Sequence, residues 1–144
     1  MVARFVFTDD WHLVGVSSSQ VREVVTDLAS YPTWWPDMRA VARIDDDHAR
    51  LLVRSTLPHS LDLVVTAVCR ELPTLEVAMD GDLVGSVRWT VRDAGDGVDI
   101  AVEQDVVVPG WRGGLARLAR PVLRWNHQQS MTRGRRGLER HLAR

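Results

Sequence analysis

Alternating apolar and polar positions dominate the middle of the chain. From position 38 to position 108 the apolar residues recur with a period of two, which is typical of strands that bury one face. The last of these segments is the clearest, because Val98, Ile100 and Val102 alternate with mostly charged neighbours. Short breaks of polar residues, glycine or proline separate the segments, as in turns that join antiparallel strands. The pattern predicts strands over 39–45, 49–56, 61–71, 74–80, 83–92 and 97–108.

One more strand is predicted before these, and a short helical region follows it. This first strand covers 3–16, and the charged pair Asp9-Asp10 allows a break within it. Serines at 17–19 then offer N-cap hydroxyls for a helix whose apolar residues recur at helical spacing. Pro32 is expected to end that helix at Tyr31, because the residue before a proline is pushed out of the helical region. A second helical turn or tight loop with two adjacent tryptophans comes next.

The end of the chain predicts one long amphipathic helix. Pro121 fits its first turn, where the missing N–H of proline costs nothing. The segment 109–114 before it is expected to be a turn that closes the sheet. The buried stripe of the helix, at steps of three and four residues, consists of Leu123, His127, Met131, Gly134, Leu138 and Leu142.

This order of elements predicts an α+β fold. It consists of a curved antiparallel sheet of six to seven strands around a long C-terminal helix, with two short helices after the first strand. A sheet of this size twists and curls, and one helix laid across its concave side cannot fill the hollow. The pattern therefore predicts a cavity between the sheet and the last helix. The chain, 1–144, is expected to form a single ligand-binding domain.

Charge is distributed unevenly, although the formal net charge is only −1. All 18 basic residues are arginines, and from position 112 to the end nine arginines stand against a single acidic residue, Glu139. The arginines that fall opposite the buried stripe of the last helix are Arg133, Arg136, Arg140 and Arg144. We therefore expect a solvated outer helix face. A contact of this face with RNA, anionic lipid or a protein partner is the alternative.

The composition also excludes several kinds of site. Cys69 is the only cysteine, so neither an internal disulfide nor a cysteine metal cluster can form. The histidines lack the spacing to carboxylates that a zinc site needs, so no metal is predicted. Because no apolar run is long enough to span a bilayer and the first residues do not resemble a signal peptide, we expect a cytoplasmic protein.

Several spaced motifs resemble one family. They are the segment 27–36 after the first helix, and the run Arg124-Trp125-Asn126-His127 followed by Met131, Gly134 and Gly137-Leu138. Together with the order of elements, they resemble the SRPBCC superfamily, the START-like or helix-grip group. The resemblance is strongest to its bacterial polyketide cyclase/dehydrase branch and covers essentially the whole chain.

The resemblance implies a deep cavity between the sheet and the last helix, no cofactor and usually no metal. The branch includes aromatase/cyclases of aromatic polyketide pathways and lipid-transfer-like proteins. Its cyclases are thought to fold a poly-β-ketone chain inside the cavity, with a few polar side chains steering aldol closure and dehydration. Tyr31, the only tyrosine here, occupies the loop position typical of the superfamily, so no phenol within the sheet can be assigned as a proton donor.

Tryptophans are the first candidates for ligand contact. Six tryptophans stand against two phenylalanines and one tyrosine, and flat rings with one polar atom suit a planar, partly oxygenated ligand. Trp89 lies within a strand and is expected to point toward the helix. The tryptophans in turns or near a helix start, where cavity mouths form, are Trp34, Trp35, Trp111 and Trp125. Packing of these rings at the ends of the core is the alternative.

Two polar residues on apolar faces are candidates for chemistry. His127 lies on the buried stripe of the last helix and is the predicted catalytic residue, because an imidazole there could shuttle a proton. A structural role for His127 is the alternative. Gln104 shares the apolar face of the last strand and needs a partner, which could be the ligand, water or His127. The predicted cavity lining is Val87, Trp89, Val102, Gln104, Leu123 and Met131.

Three functions remain open at this point. The first is binding of a small hydrophobic molecule, aromatic or polyketide-like, in the cavity. The second is a cofactor-independent polyketide aromatase/cyclase or dehydratase that uses the same cavity. The third is a protein or RNA interaction module that uses the arginine-rich helix, although the placement of the arginines does not favour nucleic acid. The oligomeric state is left open.

Overall fold

The alternating segments form one antiparallel sheet. In the computed structural model, seven strands lie in the described residues 3–57 and 60–143, in the hydrogen-bonded order β1-β7-β6-β5-β4-β3-β2. From β2 to β7 each strand therefore pairs with the next strand along the chain, whereas β1 returns to pair with β7. The strands are β1 (Ala3–Val14), β2 (Met38–Arg43), β3 (His48–Val53), β4 (Leu61–Cys69), β5 (Thr74–Gly81), β6 (Val84–Ala94) and β7 (Gly97–Val108).

The predicted strands are confirmed, with small shifts at their ends. The break that Asp9 and Asp10 allowed within the first strand does not occur, because β1 pairs without interruption through Asp9 opposite Val102 and Asp10 opposite Ala101. A charged residue is tolerated within β1 because this strand lies at the edge of the sheet.

The first helix begins as its serines predict. Ser17 forms a capping box with Gln20, in which the Ser17 hydroxyl accepts from the Gln20 backbone and the Gln20 side chain accepts from the Ser17 backbone. The helices before the second strand are α1 (Ser18–Thr26) and α2 (Tyr31–Trp34), joined by a 3-10 turn over Leu28–Ser30.

The expectation that Pro32 ends a helix is wrong. The helix α1 already stops before Asp27, and Pro32 occupies the first turn of α2. Tyr31 is helical, with φ −51° and ψ −43°. A proline in the first helical turn loses no hydrogen bond, and here this effect outweighs the restriction on the preceding residue.

A short helix that the sequence did not predict lies between β7 and the long C-terminal helix. The segment expected to be a turn instead opens α3, and Gly110 before it has φ 69°, a left-handed conformation that favours glycine. Pro121 lies in the first turn of the long helix, as predicted. The two elements are α3 (Trp111–Leu118) and α4 (Arg120–Leu142). No helix of the described residues is long and apolar enough to cross a membrane.

The long helix α4 approaches the rest of the molecule most closely at two glycines. A Cβ on Gly134 would lie 2.6 Å from the indole ring of Trp35. A Cβ on Gly137 would overlap the Trp34 carbonyl oxygen. The glycines therefore let the C-terminal half of α4 pack against α2. Leu138 is fully buried beside them, in a cluster that includes Trp11, Val21, Trp89 and Ile100.

Candidate ligand-binding cavity

The space between the sheet and the N-terminal half of α4 is a cavity of about 840 Å³. Its walls come from the inward-facing residues of the sheet, from α1 and α2, and from α3 and α4. The volume lies in the range of about 300–1,000 Å³ that is typical of small-molecule sites. The predicted cavity is therefore present, and its wall is largely apolar, with Phe5, Leu51, Leu63, Val65, Met79 and Val106 among its residues.

The residues predicted from the alternation along the strands and from the buried stripe of the last helix lie at this cavity. The six residues of the predicted lining all reach the wall: Val87, Trp89, Val102, Gln104, Leu123 and Met131. Trp35 reaches it as well, and its indole N–H donates to the Ser130 carbonyl oxygen at 3.0 Å. Contact of these residues with a ligand stays a prediction.

The other three predicted tryptophans do not contribute described side chains to the wall. Trp34 is buried behind Trp35, and its indole nitrogen has no hydrogen-bond partner among the described residues. Trp125 is 47% exposed on the outside of α4, because it precedes His127 by only two positions and therefore points to a different face. The side chain of Trp111 lies outside the described part of the structure.

A histidine and a glutamine face each other across the cavity wall. The distance from His127 Nε2 to Gln104 Oε1 is 3.0 Å, so His127 is the partner that the half-buried amide requires. Since an amide oxygen can only accept, Nε2 carries the hydrogen and Nδ1 keeps a free lone pair. The imidazole also stacks on Phe7, with ring centroids 3.7 Å apart and planes inclined by 10°.

The environment keeps this histidine uncharged. Burial, assisted by the positive charge of Arg124, lowers the pKa of His127 to about 4. The imidazole is therefore neutral at pH 7 and is a weak base. General acid–base catalysis is most efficient when the pKa lies near the working pH, so this value favours hydrogen bonding over proton transfer.

Replacement of His127 by glutamine is expected to change the pH dependence of stability. Because the folded-state pKa of about 4 lies below the ordinary value of 6.5, the unfolded chain takes up the proton first as pH falls. As pH falls from 6.5 to 4, His127 therefore lowers the free energy of unfolding, with a slope approaching about 1.4 kcal/mol per pH unit. The advantage of the wild type over His127→Gln in free energy of unfolding should shrink by about 2–3 kcal/mol across this range.

Urea unfolding of both proteins at a series of pH values measures this change. In the difference between the two free energies of unfolding, the contributions of the titrating groups that both proteins share cancel. A difference that stays constant with pH would contradict the burial of a neutral imidazole.

An ion pair that the sequence did not predict holds α4 beside the cavity. Asp37, immediately before β2, is 2% exposed and accepts two hydrogen bonds from Arg133, at 2.7 and 2.8 Å. Burial raises the pKa of the Asp37 carboxyl, but hydrogen bonds from Arg133, Ser130 and Ser55 outweigh it and hold the pKa below its usual value. Ser55 and Ser130 also line the cavity.

This pair corrects the expectation of a purely solvated arginine face. Arg133 is half-buried, with its side chain 34% exposed, and pairs with a buried carboxylate, whereas Arg136 and Arg140 are exposed as predicted, and Arg144 lies outside the described residues. The partners of the ion pair are 96 positions apart, so no local spacing connects them.

Charged residues line the cavity at the turn between β2 and β3. His48 Nδ1 lies 2.7 Å from Asp45 Oδ1, and Arg70 donates to Asp47 at 3.0 Å. These side chains are partly exposed, so they form a polar rim where the cavity meets solvent. From the sequence, the run of adjacent aspartates indicated only a turn. Their pairing with Arg70 was missed because Arg70 lies far away in the sequence, in the turn between β4 and β5. No group of three or more potential metal ligands occurs in the described ranges.

The single tyrosine does not serve this cavity as a proton donor. The Tyr31 hydroxyl donates to the Val25 carbonyl oxygen at 2.6 Å. Burial, together with the negative charge of Asp27, raises the pKa of the phenol further above its ordinary value. Its proton is thus engaged in a hydrogen bond within the fold.

Comparison with known proteins gives one family and a common fold. The family model for polyketide cyclase / dehydrase and lipid transport matches residues 14–133. No curated protein sequence matches the chain.

Solved structures share the fold at low sequence identity. The Zhui aromatase/cyclase from Streptomyces sp. R1128 has a TM-score of 0.77 at 13% identity, over 100% of this chain and 95% of its own. A START superfamily protein from Mycobacterium smegmatis has a TM-score of 0.70 at 20% identity, over 97% of both chains. A protein from Thermus thermophilus has a TM-score of 0.77 at 11% identity, over 99% of this chain and 97% of its own. These likenesses confirm the predicted START-like, helix-grip fold.

Proposed function

The chain belongs to the polyketide cyclase / dehydrase and lipid transport family, and from this premise we propose that it binds a small, uncharged hydrophobic molecule between the sheet and α4. The observation that carries the proposal is the cavity of about 840 Å³, whose wall is largely apolar, with a charged rim at the turn between β2 and β3. A void of this size in a close-packed interior costs stability unless something fills it.

The polar groups inside the cavity support an uncharged ligand. Gln104 and His127 are both neutral at pH 7, and the carboxylate of Asp37 is already paired with Arg133. A charged ligand group buried beside Gln104 and His127, away from the charged rim, would lack a counter-charge and would lose its hydration. A ligand with one or two carbonyl or hydroxyl oxygens can instead pair with the Gln104 amide or with Nδ1 of His127.

The aromatic residues of the wall support a planar ligand. Trp35 and Trp89 meet edge to face, with ring centroids 6.5 Å apart and an interplanar angle of 83°. Their ring surfaces at the cavity offer stacking and edge contacts to another flat ring system, each worth about 0.5–1.5 kcal/mol beyond the buried area. An aromatic or polyketide-like molecule is therefore the ligand class that we propose.

Filling the cavity with a side chain tests this function. Ala49 in β3 is buried and lines the cavity, whereas Ala101 in β7 is exposed on the other face of the sheet. Ala49→Phe should lower the affinity for a neutral hydrophobic dye such as Nile red by about tenfold or more, because the ring takes space that the ligand needs. Ala101→Phe adds the same side chain outside and should leave the affinity unchanged.

Fluorescence titration gives the affinities, and circular dichroism shows that both variants are folded. Equal affinities of the two variants, or no saturable binding by the wild type, would contradict a binding function of the cavity. Native mass spectrometry of the purified protein would identify a ligand that is retained from the cell.

A cyclase or dehydratase acting in the same cavity is the second candidate. The Gln104–His127 pair favours it, because two polar groups meet at one point of an otherwise apolar wall. The lowered pKa of His127 weighs against it, because the imidazole is a poor base at neutral pH. A His127→Gln protein that still binds Nile red but has lost cyclisation of a poly-β-ketone substrate would favour the enzyme over the binding protein.

A further inference from the structure

The segment that leads into α4 carries large apolar side chains on its outer surface. Leu115 is 57% exposed, Leu118 85%, Val122 49% and Trp125 47%. Leu115 and Leu118 lie three residues apart on one side of α3, and Val122 and Trp125 three residues apart on one side of the first turns of α4. We call these four residues the apolar ridge. Farther along the same side of α4 the exposed residues are polar, as in Gln129, so the ridge is confined to this end.

Positive charge surrounds the apolar ridge. Arg117, Arg120 and Arg124 lie between its members, and the sequence contains no acidic residue between Asp105 and Glu139. Within the described residues, none of these three arginines forms an ion pair with a carboxylate. Arg120 instead lies over the ring of Phe5, at 4.6 Å from its centroid, and Arg124 over that of Phe7, at 5.6 Å.

We propose that the apolar ridge docks on the surface of an anionic lipid bilayer. A helix segment with leucine and tryptophan on one side and arginines beside them is suited to the boundary between headgroups and acyl chains. The apolar side chains would enter that boundary, tryptophan would lie at its preferred interfacial depth, and the guanidinium groups would bind lipid phosphates. Each arginine near an anionic surface contributes about 1 kcal/mol to such binding.

The inner side of the same segment borders the cavity. Ala116, Ala119 and Leu123 line it, and Leu115 both lines the cavity and belongs to the apolar ridge. A single layer of helix thus separates the cavity from the docking surface. The docking does not depend on which molecule the cavity binds, but it would place the end of the cavity next to a source of hydrophobic molecules.

Co-sedimentation with vesicles tests the proposal on the full chain. The wild type should bind vesicles of equimolar phosphatidylcholine and phosphatidylglycerol, and bind vesicles of phosphatidylcholine alone at least about tenfold more weakly. Added salt should weaken binding to the anionic vesicles, because it screens the arginines. No binding to the anionic vesicles, or equal binding to both kinds, would overturn the proposal.

Two double variants with matched controls locate the surface. Leu118→Gln/Val122→Gln should weaken anionic-vesicle binding by at least about tenfold. Its control, Val14→Gln/Val68→Gln, changes two valines that are 66% and 57% exposed elsewhere, and should bind as the wild type does.

Arg117→Gln/Arg124→Gln should weaken binding by about thirtyfold, which corresponds to two surface arginines. Its control, Arg39→Gln/Arg92→Gln, removes two exposed arginines from other surfaces and should have little effect. Equal loss in a variant and its control would overturn the assignment of docking to the apolar ridge.

Trp125 supplies an independent readout. The side chain of Trp111 lies outside the described residues, so this measurement is made on a Trp111→Phe background. Among the remaining tryptophans Trp11, Trp34, Trp35 and Trp89 are buried, so a vesicle-induced blue shift of the fluorescence should come from Trp125 and disappear when Trp125→Phe is added. A shift that persists in Trp125→Phe would overturn the docking orientation. Sedimentation velocity tests whether the apolar ridge is instead an interface between two copies of the chain. A wild type that forms a stable dimer, together with a monomeric Leu118→Gln/Val122→Gln variant, would overturn the lipid assignment.

Discussion

Gly137→Ala is expected to destabilise the protein by about 3 kcal/mol. The added Cβ would overlap the Trp34 carbonyl oxygen, which is backbone and cannot rotate away. The helix α4 would have to move off α2. This cost outweighs the gain of about 1 kcal/mol that alanine has over glycine within a helix.

Chemical denaturation monitored by circular dichroism measures this loss, and two variants serve as comparisons. Gln129→Ala, on the exposed side of the same helix, should change the free energy of unfolding by less than about 0.5 kcal/mol. Gly134→Ala meets the indole ring of Trp35 at 2.6 Å, and that ring borders the cavity, so it has room to shift. The Gly134 variant should therefore lose less stability than the Gly137 variant. Wild-type stability of Gly137→Ala would show that α4 does not lie this close to α2.

Arg133→Gln is expected to lower the free energy of unfolding at pH 7 by about 2–3 kcal/mol, because it leaves the buried carboxylate of Asp37 without its cation. Arg136→Gln, at an exposed position on the same helix, should cost less than about 0.5 kcal/mol. Urea unfolding of the two variants compares a structural arginine with a solvated one.

A double variant separates the ion pair from the packing of the arginine stem. Asp37→Asn/Arg133→Gln removes both charges, and it should recover at least about 1 kcal/mol relative to Arg133→Gln, because an unpaired buried charge is worse than a neutral pair. A double variant less stable than Arg133→Gln would indicate that Asp37 is held mainly by Ser55 and Ser130.

The strands and the long helix could be predicted because their information is local. A period of two fixes the inward face of β7, and a helical stripe fixes the inward face of α4. Together, these two patterns were enough to predict that Gln104 and His127 face the same cavity. The curvature of the sheet then predicted the cavity, since a single helix cannot fill a concave surface.

The features that were missed depend on tertiary contacts or on short segments. Only the folded chain brings Asp37 to Arg133, and nothing near either residue in the sequence indicates the other. The helix α3 contains two glycines and spans only eight residues, so its apolar positions do not form a recognisable stripe. The sequence positions of the tryptophans did not show in which direction each indole ring points. The adjacent Trp34 and Trp35, for example, have different surroundings although both are buried.

The buried tryptophans have an optical consequence. Trp11 and Trp89 have ring centroids 5.6 Å apart, Trp89 and Trp35 6.5 Å, and Trp35 and Trp34 5.5 Å, so four indoles form a continuous chain through the core. At such separations excitation passes readily between rings. Because Trp35 and Trp89 border the cavity, a chromophoric ligand in contact with them would quench the emission of all four indoles together. The near-ultraviolet circular dichroism of the protein likewise reports on this chain of rings as one unit, and it would vanish in a compact state that had lost fixed side-chain packing.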